Sequence, residues 1–550
     1  MTLALSRRRL LSTAAAGGCA ALLPAFPRSV LAAGPAVDPA AGPTAGPTAG
    51  DAVRLTVERR SLEVNGRAAS LFGIRQPDGT HGLILDPGRR FLVDLTNRAG
   101  EDTVIHWHGQ TPPYVQDGVA DMNRPTIRDG LTVRYDFAPR TGTHWMHSHH
   151  GMQEQLLMAA PLVVRSDEDL RADEQEVVIL LHDFTFRDPA ELLASLGGPS
   201  GGMAHGGHGT GGMGQGAMNH GSMDHGAMNH SQMNQGQMPT GQMNHGQMNH
   251  GQMNHGSMGH GSPAQGNGHD MAGMSGGMAM DLNDIDYDAY LANDRTLADP
   301  QVVRVERGGR VRLRVINGAT STAFHLDLGR LSGQVIAADG NPVHPVPGTR
   351  FGLSMGQRLD IRLTLPADGG AFPILALREG AVQRTGIILA TPGAAVEKVA
   401  DTGQAVTDAL DLSLERRLSG VTPLAVRTAD QTRRMQLTGS MMPYVWSLDG
   451  KTFGEHRPLL VRQGQRVELT FENASMMAHP MHLHGHHFQV VAIDGRPVAG
   501  AVRDTVLVPM MASVTVAFDA DNPGRWPLHC HNLLHMETGM MTEVVYEGFV

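Results

Sequence analysis

Three stretches of one pattern constrain the fold more than anything else in the chain. GRRFLVDLTN runs from Gly88 to Asn97, GGRVRLRVIN from Gly308 to Asn317, and GQRVELTFEN from Gly464 to Asn473. Each has a glycine, an arginine two residues on, alternating apolar residues, and an asparagine nine residues after the glycine. Alternation with period two marks a half-buried strand, and a supersecondary unit that recurs three times predicts three related β-sandwich domains. The surrounding chain agrees. Short β-like runs such as VRLTVERRSLEV and SVTVAF are punctuated by Gly, Pro, Asn and Asp, with little helical periodicity. An all-β fold is therefore expected, with domains over 51–168, 169–400 and 427–550 and a linker over 401–426.

The first two copies lie further apart than the last two, and the excess is visible. Residues 197–279 are low-complexity, with pentads such as GQMNHGQMNH. Their Gly, Asn and Gln content cannot build a core, so this stretch reads as a disordered Met/His/Gly-rich insertion in domain two. The N-terminus, SRRRLLSTAAAGGCAALLPAFPRSVLAAG, has adjacent arginines, a short apolar region and small residues near Ala33. That is the layout of a twin-arginine export signal over 1–33, followed by a linker over 34–50, and it predicts a periplasmic protein. No later stretch is apolar and long enough to span a bilayer, so stable membrane insertion is not expected. The formal charge of -10 comes without a basic run, which argues against a nucleic-acid partner.

Of two cysteines, Cys19 falls in the leader and Cys530 remains alone. A lone thiol in an oxidising compartment is buried and inert, reactive, or bound to metal. Its neighbours decide. Four His-x-His pairs occur: His106/His108, His147/His149, His482/His484 and His529/His531. On a strand, residues two apart share a face, so each pair presents two imidazoles side by side. Aligned on the repeat asparagines, His106/His108 match His482/His484, whereas domain two has Leu326 and Leu328 there. Domains one and three thus share a site that domain two lacks, with eight nitrogens at their interface. Imidazole suits copper, zinc, iron and nickel.

If His529 and His531 face that interface, Cys530 faces the other way, into domain three. There His479, His535 and Met540 lie at suitable spacing, and two histidines, a thiolate and a weak axial methionine are the ligand set of a blue-copper site. Ser148 stands where domain one would need a second cysteine, so one such site is expected. Between its two histidines, Cys530 can carry an electron from one metal to a cluster behind it.

These motifs, HWHG, GTHWMHSHHG, HPMHLHGHHF and HCHNLLHMETGM, closely resemble those of the multicopper oxidases, and the resemblance covers the mature chain except the insertion. It implies three cupredoxin-like Greek-key domains and four copper ions. His479, Cys530, His535 and Met540 would bind the type 1 copper, and His106 and His482 the type 2. His108, His147 and His531 would hold one type 3 copper, and His149, His484 and His529 the other. The implied reaction takes four electrons, one at a time, from a reductant and reduces dioxygen to two waters, in a protein that is by family default a monomer. Because four protons are consumed, an acid is needed near the cluster. Asp117, in QDG, matches the family's carboxylate. Where some members carry a second carboxylate directly after the type 1 histidine, this chain has Met536, which leaves Glu537 as the substitute. His144, His150, His486 and His487 read as residues behind the ligands or on the surface.

The insertion bears on the reductant, because thioether sulfur selects Cu(I) and Met218, His220, Met223, His225, Met228 and His230 repeat at close spacing. The primary expectation is oxidation of Cu(I) in copper tolerance, with further Cu(I) bound on the insertion. A laccase-like oxidase of phenols and aromatic amines, with the insertion as a copper reserve, is the alternative. A non-catalytic copper-sequestering protein is the third, disfavoured because sequestration needs no type 1 thiolate.

Overall fold

The computed structural model describes residues 52–120, 122–197 and 282–549. The expected leader, the linker over 34–50, Cys19 and the insertion beyond Gly197 lie outside the described residues.

Each of the three repeated stretches forms a strand: Phe91–Arg98, Arg310–Asn317 and Arg466–Asn473. Each strand sits at the same place in its sheet. It pairs in parallel with the first long strand of its domain, Val53–Val64, Gln175–Phe184 or Gln431–Met441. On its other side it pairs antiparallel with Thr132–Phe137, Arg358–Thr364 or Ser513–Asp519. Its terminal asparagine explains itself by hydrogen bonding. Asn97 Nδ2 donates to the carbonyls of Glu101 and Ile127 while Oδ1 accepts from Ala99 N. Asn317 does the same with Thr322, Leu353 and Ala319, and Asn473 with Met477, Val508 and Ser475. A buried loop leaves backbone groups without water, and one amide side chain satisfies three of them. In domains one and three that loop leads straight into the first histidine pair.

Six sheets make up the three sandwiches. In domain one the second sheet runs Leu83–Leu85, Ala159–Val164, Gly142–Ser148, Ile105–His106, and one apolar cluster including Leu55, Phe72, Phe91, Met146 and Leu162 fills the space between the two sheets. In domain three the second sheet runs Leu459–Val461, Met541–Tyr546, Arg525–Cys530, His479–Leu483, Thr505–Val508. In domain two the residues that match the histidines, Leu326 and Leu328, are buried in the core. Among the described residues no helix is long and apolar enough to cross a membrane.

A segment after the insertion ties domain two to the linker before domain three. Asn283 Nδ2 donates to the Glu379 carbonyl, and the Glu379 carboxyl accepts from Leu410 N at 2.5 Å. Burial pushes the Glu379 carboxyl up to about 7. Because the folded form holds the proton more tightly than the unfolded chain, its stabilisation is full below the unfolded carboxyl value and is lost as pH rises through about 7. Glu379→Gln keeps the hydrogen bond and removes the titration. Relative to wild type, this variant should gain about 3 kcal/mol of stability between pH 5 and pH 8, read from paired denaturant melts; parallel curves would refute it.

Candidate metal centre

Strand pairing delivers the histidines. His106 lies opposite His147 in domain one, and His482 opposite His529 in domain three, each on adjacent antiparallel strands. Close approach of backbone helps seat them: Gly118 has φ +86°, and a Cβ there would lie 1.8 Å from the Ile105 carbonyl oxygen, beside His106. The two domains then meet ring to ring. The centroids of His106 and His484 are 3.8 Å apart, as are those of His108 and His482.

Among the described residues five groups of possible ligand atoms result, all buried, with every atom in a group within 4.8 Å of the others. They are His106, His108 and His482; His108, His147 and His531; His149, His484 and His529; His106, Asp117 and His484; and His479, Cys530 and His535. In the last, the Cys530 Sγ lies 3.7 Å from Nδ1 of both His479 and His535, and these nitrogens lie 3.1 Å from each other. Met540 is buried beside them, its N donating to the His535 carbonyl and its carbonyl accepting from Cys530 N. The five-residue helix Leu533–Glu537 that carries His535 starts at Asn532, whose Oδ1 accepts from Leu534 N and His535 N.

The electrostatics favour a cation. Burial pushes the imidazoles of His108, His147, His479, His482, His484 and His531 well below their ordinary range, and that of His529 to about 3. They are neutral, as metal ligands must be. Nε2 of His106, His147 and His482 is buried without a hydrogen-bond partner. Orphaned acceptors of this kind are costly, and a cation shared among them removes the cost. Burial, with the Asp284 carboxylate behind it, pushes the Cys530 thiol far up despite a backbone hydrogen bond at Asn532, and a bound metal would hold it as thiolate.

The outer nitrogens are held by partners that fix tautomer and ring orientation. Asp117 receives Nδ1–H of His484 at 2.8 Å and lies 3.3 Å from Nδ1 of His106. Glu154 lies 2.8 Å from Nδ1 of His147, and burial with nearby Asp183 raises its carboxyl well above the usual range. Asp504 lies 3.1 Å from Nε2 of His108, and its carbonyl accepts from Nδ1 of His482. The half-buried Glu537 ends the helix Leu533–Glu537 that carries His535, and burial with the nearby Glu154 pushes it up to about 7. Of the extra histidines, His144 bonds the Thr141 carbonyl, His486 the Tyr546 hydroxyl and His487 the Gly109 carbonyl, while His150 is only half-buried.

Sequence reading missed Glu154, Asp504 and Arg358. Glu154 had a weak signal, a carboxylate five residues after His149 in HHGMQEQ. Asp504 and Arg358 had none, since they come from distant strands. The Arg358 guanidinium grips Asp504 through Nη1 at 2.7 Å and Nη2 at 2.5 Å and donates Nε–H to the Thr143 carbonyl. It holds the Asp504 carboxylate well below the usual range against the opposing effect of burial.

Three β-sandwiches with copper-type ligand clusters between the first and third define a multidomain copper protein, and comparison with known proteins agrees. Family models described as multicopper oxidase match residues 72–169, 175–391 and 427–548. The multicopper oxidase MmcO of Mycobacterium tuberculosis is 30% identical over 467 residues, spanning 84% of this chain and 80% of the relative. Copper resistance protein A of Escherichia coli is 24% identical over 602 residues, spanning 90% and 91%. The crystal structure of Fet3p, a multicopper oxidase that functions in iron import, superposes with a TM-score of 0.66 at 16% identity, covering 90% of each chain. A laccase from Botrytis aclada superposes at 0.64 and 20% identity, covering 90% of this chain and 87% of that one. The chain belongs to the multicopper oxidases and is a copper-dependent oxidase.

Arg358 supplies a direct test of the outer ring. Arg358→Met leaves Asp504 buried and uncompensated, which should cost about 3–5 kcal/mol and weaken copper retention about 10–100-fold. Calorimetry and copper competition with a chelator measure the two effects; full stability with full retention would show that Asp504 orients His108 without help.

Proposed function

We propose that this protein is a periplasmic multicopper oxidase that oxidises Cu(I), and with it small phenols and aromatic amines, in defence against copper. The observation that carries this reading is the segment His529–Cys530–His531, at the end of the strand Arg525–Cys530. Cys530 points into a group with His479 and His535, while its two neighbours belong to the groups formed with domain one. His479, Cys530, His535 and Met540 would hold one copper ion, which would supply one-electron chemistry, and the eight paired imidazoles would hold three more, which would supply four-electron reduction of dioxygen. The Cys530 side chain and its flanking peptide bonds are the covalent path between the two. Four Cu(I) ions give up one electron each, and dioxygen takes these with four protons to become two waters.

Within this scheme His106 and His482 serve as the type 2 pair, His108, His147 and His531 as one type 3 set, and His149, His484 and His529 as the other. Asp117 orients His484 and His106 and stands beside them as the carboxylate able to hold a proton for the oxygen atoms. With Met536 where some members carry a second acid, Glu537 serves as the substitute, with Glu154 close enough to raise its carboxyl.

Cu(I) as reductant is supported by sulfur. Among the described residues the exposed methionines are Met441, Met442, Met476 and Met511. All lie at one end of domain three, where Asn473 N bonds the Ala512 carbonyl and where Ser475 reaches His479. Soft thioethers select Cu(I), and the Met/His-rich stretch over 197–279 adds further thioethers to the same chain. The relative named copper resistance protein A fits this role. A laccase reading draws on relatives such as laccase-4 of Trametes villosa, 24% identical over 506 residues. Export by the twin-arginine leader suits a cofactor-bearing protein of the periplasm.

Oxygen consumption by the copper-loaded protein with Cu(I) as sole reductant tests the reading. Rapid uptake that falls when 197–279 is deleted is expected; uptake with phenols alone, indifferent to the deletion, would make the protein a laccase and the insertion a linker. Asp117→Asn should slow oxygen turnover about 10²-fold while the thiolate-to-copper absorption band persists, and an unchanged rate would exclude Asp117 from proton delivery.

A further inference from the structure

Domain two supplies no histidine to the clusters, but two of its glycines stand close to them. Gly356, in the turn between Arg350–Leu353 and Arg358–Thr364, has φ +77°, and a Cβ there would lie 2.8 Å from Cδ2 and 2.9 Å from Cγ of His531 and 3.2 Å from Cε1 of His108. Bare backbone thus covers two imidazoles that a methyl group would displace. The turn is pinned on several sides. Gly356 N donates to the Asn317 carbonyl at 2.9 Å, Asn317 N to the Gln357 carbonyl at 3.0 Å, and Gln357 Nε2 to the Thr505 carbonyl at 3.2 Å. Arg358 Nη1 donates to the Gly356 carbonyl at 3.0 Å.

The second glycine acts through Trp145. That buried indole stacks on His147, with centroids 4.2 Å apart and planes at 17°, and its ring lies 5.2 Å from that of His108 and 5.4 Å from that of His531. It packs with Leu180 and Ile316 of domain two, and a Cβ at Gly318 would lie 3.3 Å from its Cζ3. Gly318 follows Asn317, the repeat asparagine of domain two. In domains one and three the loop after that asparagine leads to histidines; in domain two it braces the ring behind one. Every one of these contacts falls on His108, His147 and His531, which form a single group. Asp504 and Glu154 tie the outer nitrogens of His108 and His147; for His531 the hold is packing.

We propose that domain two positions one type 3 set, with Gly356 and Trp145 as the two jaws of a clamp that fixes the ring planes of His108, His147 and His531. A ligand ring that cannot tilt keeps its lone pair aimed at the metal, and affinity falls when the ring is free to turn or is pushed aside. Position 356 calls for glycine twice over, because its backbone is left-handed and because an imidazole lies beneath it. The inference rests on the type 3 assignment above.

The test uses the copper-loaded full chain with Gly356→Ala, Trp145→Leu and Trp145→Phe, and with Gly348→Ala as a control. A Cβ at Gly348 would lie 2.7 Å from the buried Phe351 ring, the same kind of clash on a ring that is no ligand. Chelator titration reads copper bound per chain, the thiolate-to-copper band reads the Cys530 group, and anomalous copper scattering from crystals reads occupancy site by site. Gly356→Ala and Trp145→Leu should each release the copper of His108, His147 and His531 about 10–100-fold more readily than wild type while keeping the band and the other sites. Trp145→Phe, which still offers a flat ring, should retain that copper. Gly348→Ala should lower the melting temperature and hold its coppers as wild type does. The Trp145 pair carries the same comparison if Gly356→Ala does not fold. Wild-type retention in folded Gly356→Ala or in Trp145→Leu, uniform weakening of every site, or an equal loss in Gly348→Ala would overturn the proposal. A wild-type chain with no copper among these three histidines would instead sink the type 3 assignment, so the two failures are distinguishable.

Discussion

A β-strand sends neighbouring side chains to opposite faces, and where the strand Arg525–Cys530 ends and His531 follows, the rest of the site depends on that alternation. Had the segment been helical, the three side chains would have fanned over roughly 200° and no two of them could have shared a cluster while the third served another. On a strand the separation is automatic. Cys530 enters the interior of domain three beside His479 and His535, and the flanking imidazoles enter the space shared with domain one. The domain boundary is thus set by the alternation, because a cluster fed from one strand face needs a second protein surface to complete it. The His106 and His147 strands of domain one are that surface.

Burial makes the arrangement workable and also hazardous. Six of the eight imidazoles, those of His108, His147, His482, His484, His529 and His531, stay neutral because charging them without water is unfavourable, which leaves lone pairs ready for metal. The same burial leaves ring orientation undetermined unless the second nitrogen of each ring is tied. Asp117, Glu154 and Asp504 tie His484, His147 and His108 in turn. Asp504 is itself tied by Arg358. Each further layer is charged or polar, so the centre is an onion of compensated charges rather than a hole in an apolar core, and removing one layer exposes the next to uncompensated burial.

How much of this could be read from the chain follows from how far each signal extends. The all-β class was legible because the repeat is long, occurs three times and ends in an asparagine whose amide closes the following loop. The histidines that the structure gathers are those that the paired spacing singled out, since period two is a local property visible in three letters. Asp504, Arg358 and Asp284 were not legible, and Glu154 only weakly, from its place shortly after His147 and His149. The first three are single charged residues whose partners lie far away in sequence, 396 residues in the case of Asp504 and His108. Nothing local distinguishes such a residue from a solvated one; only the packing of three domains does.

Domain two holds none of the paired histidines, and its equivalent positions are core leucines. Its retention between two ligand-bearing domains is nonetheless explained by charge. Arg358 reaches back to Thr143 of domain one and forward to Asp504 of domain three, and Asp339 pairs with Arg503. Asp183 and Asp284 lie behind Glu154 and His535. A domain that contributed ligands would be limited to the positions and rings that metal geometry allows. One that contributes only carboxylates and a guanidinium can change sequence freely elsewhere, as a low-complexity insertion of more than eighty residues in its middle demonstrates, provided that the few charges facing the neighbouring domains stay in register. In this molecule domains one and three supply the ligand clusters, and domain two holds several of those ligands in place.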